Sequence, residues 1–294
     1  MRRVRVTAYA KVNLSLEVLG KRPDRFHEVR TVMQSISLGD ELTMEESEDL
    51  SLECETPGLE GEDNLVQRAA RALREARGAS RGARIVLTKG IPVAGGLGGA
   101  SVDAAATLVG LARLWGWDIS RGELQDLAAR LGSDVPFFLS GGTVMASGRG
   151  EIVELLPDVA PSWLVLLVPS HSLAAKTAEL YRRMTPDCWS SGERTDRLAA
   201  GIRRGEPIQE ELLTNSFEMV AGQLFPSLAD HRKALLEAGA TSVHLSGAGP
   251  AVFALFQTEP AAALVAERLS RAGHQPLLAR TLRAEEARPQ AVEF

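Results

Sequence analysis

The feature that most restricts how this chain can fold is a glycine-rich run set between a strand and a helix: Ile91-Pro92-Val93-Ala94-Gly95-Gly96-Leu97-Gly98-Gly99-Ala100-Ser101. Upstream, residues 83–88 read as a compact apolar strand. Downstream, Ala104, Leu108, Leu111, Ala112 and Trp115 recur at helical spacing. Glycines at such a turn let backbone N–H groups approach an anion, and the helix start adds unpaired N–H groups and the positive end of its dipole. The run reads as a phosphate cradle, with a merely flexible turn as the alternative. It lacks the Gly-Lys-Ser/Thr ending of a P-loop and the G-x-G-x-x-G spacing of a dinucleotide fold.

The flanking sequence supplies a mixed α+β frame. Residues 4–19 and 31–44 alternate as strands, the second running into an acidic patch at 45–49. Asn64 caps a helix through Val66, Ala69, Ala70 and Leu73. Ser120 with Glu123 forms a capping box for Leu124, Leu127 and Leu131. Residues 137–147, interrupted by Gly141-Gly142, predict a strand pair or hairpin, and Pro157 and Pro161 mark a boundary. Beyond it the pattern predicts a strand at 163–168, a helix at 174–184, a loop at 186–192 and a polar loop around 189–194. Helices at 212–224 and 227–238, strands at 242–245 and 251–256, and a helix at 260–272 follow. The expected division is therefore 1–157 and 158–294.

With 45% hydrophobic residues the chain can bury a sizeable core, and a net charge of −5 supplies no basic field for nucleic acid or an acidic membrane. The longest apolar stretch, residues 163–168, is far too short to cross a bilayer, and no apolar signal segment follows Met1-Arg2-Arg3. Cys54 and Cys188 lie far apart, and the five histidines show no ligand spacing, so neither a disulfide scaffold nor a zinc site is expected. A cytoplasmic protein fits this pattern.

Four further groups carry possible chemistry. Lys11 and Asn13 lie two residues apart in a strand, hence on one face, and are either solvated or catalytic. Asp134, in Ser133-Asp134-Val135-Pro136, either forms a turn or is aimed into a cleft. His27 beside Phe26 suits a flat base, or is a solvated loop histidine. Gly247-Ala248-Gly249 is either a second phosphate loop or a plain hairpin.

Taken in order, Ala10-Lys11-Val12-Asn13-Leu14, Pro92 to Ser101 and Gly247-Ala248-Gly249 resemble the three motifs of the GHMP kinases, over nearly the whole chain. The resemblance implies a ribosomal-protein-S5-domain-2-like first domain, a ferredoxin-like second domain, and ATP with Mg2+ in the cleft between them. Arg25-Phe26-His27-Glu28, Gly132 to Phe138 and Asn215-Ser216-Phe217-Glu218 resemble the branch acting on a cytidine-diphosphate-linked methylerythritol. By that resemblance Asp134 is the general base and Lys11 lies beside it. The run from Pro92 to Val102 surrounds ATP, with Ser101 as a possible Mg2+ contact. Asn13, Phe26, His27, Tyr181, Gly247 and Ala248 face the cytidine-bearing substrate, Phe26 and Tyr181 on opposite sides of the base. The implied partners are small molecules only, bound by a monomer or homodimer. The chain departs from the pattern at Phe26 (usually Tyr), Arg25 (Gly), Ala100 (Gly), Val102 (Ser) and Ser216 (Asp).

Overall fold

Two long strands organise the molecule. In a computed structural model, which describes residues 2–169 and 176–294, β1 (Arg3–Lys21) and β2 (His27–Ser47) run antiparallel through three register shifts. Val4, Val6 and Ala8 point inward while Arg3, Arg5 and Thr7 face out, the alternation of a sheet covered on one side. From Ala10 to Val18 every residue of β1 is buried, because both faces are covered there.

The remaining elements of the first half are β3 (Leu50–Cys54), α1 (Leu65–Ala76), β4 (Gly82–Thr88), α2 (Gly99–Trp115), α3 (Arg121–Leu131), α4 (Val135–Ser140), β5 (Thr143–Ser147) and β6 (Ile152–Leu155). The Asn64 side chain accepts the Val66 N–H at 2.8 Å, and the Ser120/Glu123 capping box is present. Then come β7 (Trp163–Leu167), α5 (Lys176–Arg183), α6 (Glu193–Arg203), β8 (Thr214–Asn215), α7 (Glu218–Ala221) and α8 (Leu228–Ala238). The chain continues through β9 (His244–Leu245), β10 (Val252–Phe256), α9 (Glu259–Arg271), β11 (Leu277–Arg280), α10 (Ala284–Ala287) and β12 (Ala291–Glu293).

The larger sheet has the order β12-β1-β2-β4-β3, with β5 joined to a second stretch of β2, β6 to β5, and β8 parallel to β1. Helix α2 packs against β1 and β2, and most of its circumference is buried. The smaller sheet, β11-β7-β10-β9, is antiparallel throughout. Its strand β7 is apolar on both sides for a reason: Val165 and Leu167 pack with Leu235, Val265 and Leu269 of α8 and α9, while Leu164 and Leu166 join the main core. The α+β class and the ferredoxin-like order of the second sheet agree with the sequence reading. Residues beyond 158 also serve the first sheet, since β8 and β12 both pair with β1.

Three local expectations are corrected. Residues 135–140 are a helix rather than the first arm of a hairpin: Pro136 sits in the first turn, where its fixed φ favours a helix start, and only β5 is a strand. Residues 212–224 are not one helix. They split into a turn, β8 and α7, because the Asn215 side chain donates to the carbonyls of Leu245 and Gly247 (both 2.9 Å) and accepts the Phe217 N–H at 3.0 Å. The polar segment read as a loop around 189–194 leads into α6, whose first turn is fixed by tertiary contact: the buried Glu17 carboxylate accepts the Thr195 N–H at 2.7 Å. The helix expected at 174–184 is found as α5; Ala174 and Ala175 lie outside the described residues.

Candidate active site

The three scattered motifs meet at one point. The N–H of Lys11, at a register shift in β1, donates to Leu97 of the first glycine loop at 3.0 Å. The second loop locks onto the first: the Ser246 hydroxyl donates to Gly96 O at 3.1 Å, and the Ala251 N–H to Gly95 O at 2.9 Å. Gly96 holds φ +89°, and a Cβ there would stand 2.3 Å from Ser246 O, so only glycine permits this approach. Gly98, at φ +78°, takes the N-cap position of α2, whose first turn faces the same space.

Lys11 is not a solvated edge residue; it is 3% exposed, because the first glycine loop covers β1 at this point, Leu97 O accepting its N–H and Gly98 lying against its side chain. Its ammonium donates to Asn13 Oδ1 at 2.5 Å and lies 3.4 Å from Asp134 Oδ2. Asn13 in turn donates to Thr31 Oγ1 at 2.7 Å, which fixes its amide. Asp134 stands at the N-cap position of α4, yet its side chain caps nothing and remains partly exposed to the cleft. A rigid buried lysine thus faces a carboxylate that is free to act.

These groups line a cavity of about 920 Å3. Its wall includes Lys11, Asn13, Asp134, Gly247 and Ala248, together with the run from Ala94 to Ser101. Pro92 and Val93 precede that wall, and Val102 is fully buried in the core, turned away from it. At the far end the His27 ring stacks on Tyr181 (centroids 4.4 Å, 12° between planes), and Phe217 meets Tyr181 edge-on at 4.9 Å. Phe26 is 50% exposed, with the Arg149 guanidinium 4.6 Å above its ring. Burial, reinforced by Lys21, holds the His27 imidazole below its ordinary value. Burial, then Asp134, pushes the Tyr181 phenol up to about 12.

Sequence reasoning missed several participants. Thr31, Arg149 and Lys176 carry no motif; they reach the site only through folding. A buried charge cluster under the first loop was also invisible: Lys89 bridges Asp40 (2.5 Å) and Asp103 (2.8 Å), while Asp40 accepts the N–H groups of Gly90 and Ile91. Burial raises the Asp103 carboxyl despite Lys89, and Asp103 Oδ1 has no partner among the described residues. The cluster pins the entry to the loop.

Interlocked glycine loops, a helix N-terminus and a lysine–aspartate pair around one cleft define the class of small-molecule phosphotransferases. Residues 64–142 match the GHMP kinases N terminal domain and residues 198–275 match the GHMP kinases C terminal. A 4-diphosphocytidyl-2-C-methyl-D-erythritol kinase of Dehalococcoides mccartyi is 44% identical over 276 residues, 94% of this chain and 97% of that one. The enzyme of that name from Symbiobacterium thermophilum is 43% identical over 282 residues, covering 94% and 99%. A crystal structure of 4-(cytidine 5'-diphospho)-2C-methyl-D-erythritol kinase superposes with a TM-score of 0.79 at 35% identity, covering 94% and 98%. A homoserine kinase from Cytophaga hutchinsonii shares the fold at 20% identity, with a TM-score of 0.74 and coverage of 99% and 97%. The chain belongs to the GHMP kinases and, within them, to the 4-diphosphocytidyl-2-C-methyl-D-erythritol kinase family. No helix among the described residues is long and apolar enough to cross a membrane.

Proposed function

We propose that this chain transfers the γ-phosphoryl group of ATP to the 2-hydroxyl of 4-diphosphocytidyl-2-C-methyl-D-erythritol, giving the 2-phosphate and ADP. The setting is the cytoplasmic, non-mevalonate route to isoprenoid precursors. The observation that carries this reading is the Lys11–Asp134 pair, 3.4 Å apart, at the mouth of the interlocked glycine loops. Residues 1–157 supply the cradle and the catalytic pair, and residues 158–294 close the cleft.

Asp134 takes the proton of the attacking hydroxyl, or orients that hydroxyl toward phosphorus. Lys11 favours the ionised carboxylate and opposes the charge growing on the transferred group. The loop N–H groups and the start of α2 hold the phosphates without reorganisation, and this alignment is most of what phosphoryl transfer needs. The acceptor is a hindered tertiary alcohol, so its positioning draws on remote binding of the cytidine by Phe26, His27 and Tyr181. Ser101, a hard oxygen donor in the first turn of α2 and on the cavity wall, would hold a Mg2+ brought in with the nucleotide. When bound, Mg2+ supplies neutralisation of phosphate charge.

The test is a coupled ADP-release assay with this alcohol beside mevalonate and homoserine, on wild type and Asp134→Ala. ADP release with the cytidine-linked alcohol alone, lowered about 10²- to 10⁴-fold in the variant with ATP affinity retained, is the expected result. Turnover of a control alcohol instead overturns the substrate assignment.

A further inference from the structure

Lys176, the first residue of α5, lines the same cavity from the opposite side. Its ammonium donates to two backbone carbonyls, Ala94 O in the first glycine loop and Gly249 O in the second. It therefore bridges the two loops that Ser246 also joins. Among the described residues no carboxylate pairs with it, so a largely buried cation is satisfied only by neutral acceptors. Burial, and next the positive charge of Lys11, pulls its pKa down to about 8. Lys11, Lys176 and a helix N-terminus thus share one space with Lys21, Arg25, Arg149 and Arg182, and among the described residues the one carboxylate on its wall is the partly exposed Asp134, already shared with Lys11. Such a surplus of positive charge suits a polyanion.

Resting on the kinase reading above, we infer that Lys176 is a second phosphate-binding lysine, whose ammonium engages the terminal phosphoryl group of ATP while its grip on Ala94 and Gly249 sets the spacing of the two loops. The terminal group is singled out because both ammonium groups meet the second glycine loop, Lys176 donating to Gly249 O and Lys11 Nζ lying 3.3 Å from where a Cβ on Gly247 would stand, beside the Asp134 end where the acceptor is attacked. The phosphorus–oxygen bond to ADP breaks, the bond to the acceptor oxygen forms, and the hydroxyl proton goes to Asp134. Lys176 keeps its own protons and contributes charge alone.

The experiment measures ATP and ADP affinity by calorimetry, without acceptor, for wild type, Lys176→Met and Lys176→Arg. Lys176→Met is expected to weaken ATP by about ten- to a hundredfold, the worth of one charge-assisted contact, while ADP changes by less than about threefold; Lys176→Arg recovers most of the loss. Equal weakening of both nucleotides, or of neither, overturns the inference, because a lysine that only spaces the loops does not distinguish the two. A second measurement needs no variant. Pyridoxal phosphate forms an imine with an accessible lysine amine, releasing water, and borohydride fixes it; mass spectrometry then reads modification at Lys176. Protection by ATP but not by ADP supports the terminal contact, and equal protection refutes it. Neither readout involves the alcohol, so a wrong substrate assignment leaves the outcome for Lys176 intact.

Discussion

Replacing Gly96 by alanine tests whether the two glycine loops are locked by backbone contact. At φ +89° an alanine is strained by about 1 kcal/mol, and its Cβ would fall 2.3 Å from Ser246 O and 3.0 Å from Gly249 N and O. All three atoms are backbone, so no side chain can rotate away, and the loops must part by about 1 Å to restore ordinary C···O separation. That displacement removes the Ser246 Oγ to Gly96 O and Ala251 N to Gly95 O hydrogen bonds, each worth about 1 kcal/mol net. The sum is about 3 kcal/mol. Gly58→Ala is the matched control: φ is +82° but nothing lies within 4 Å of the new Cβ, so only the dihedral cost of about 1 kcal/mol remains. Thermal and urea midpoints of both variants, with ATP affinity, give the comparison. Gly96→Ala should melt about 6–12 °C below wild type and bind ATP much more weakly, while Gly58→Ala loses a few degrees and binds normally. Equal midpoints for the two variants, with ATP binding intact in Gly96→Ala, would refute the interlock.

Two other outcomes follow from geometry outside the Gly96–Ser246 contact. Burial pulls the His244 imidazole down to about 4, Glu218 opposing and Arg232 and Arg194 assisting. The folded pKa lies below the unfolded value near 6.5, so the unfolded chain binds the extra proton and stability is lost as pH falls from about 6.5 to 4, by up to about 3 kcal/mol. His244→Gln should flatten that part of the melting-temperature profile, and an unchanged profile would exclude His244 as its source. Phe26→Ala should leave the melting temperature within a degree or two, since the ring is 50% exposed, yet lower kcat/KM for the cytidine-linked alcohol about tenfold or more with ATP affinity unchanged. Steady-state kinetics with Phe26→Tyr as the conservative control decide this, and equal kcat/KM in Phe26→Ala and wild type would remove Phe26 from the substrate site.

What could be read beforehand was written in a few consecutive residues. The Asn64 cap, the Ser120/Glu123 box and the strand–glycine–helix passage into α2 need no distant partner, and all are present. Lys11 shows the opposite case. Its pattern reads equally as an exposed edge, and its burial is decided by the first glycine loop, whose Leu97 carbonyl accepts the Lys11 N–H, a contact that β1 alone does not announce. Residues 135–140 failed because a short apolar run such as Val-Pro-Phe-Phe-Leu has no period long enough to separate helix from strand. Helix α6 is polar over most of its length, and its position is set by Glu17, far away in sequence. Lys176 sits in no glycine or capping pattern, so only the approach of α5 to both loops reveals it.

The pairing of β12 with β1 also bears on how the chain reaches this state. Val4, Arg5 and Val6 are partnered by Glu293, Val292 and Ala291, so the edge at residues 4–6 stays open until residues 291–293 arrive to cover it. Contacts so remote in sequence are slow to close, and an open strand edge is a template for pairing with another chain. A nascent or prematurely terminated polypeptide would display that edge next to the strand segment that carries Lys11. Truncations that remove β12 should therefore be sought among insoluble products rather than among weakly active enzymes.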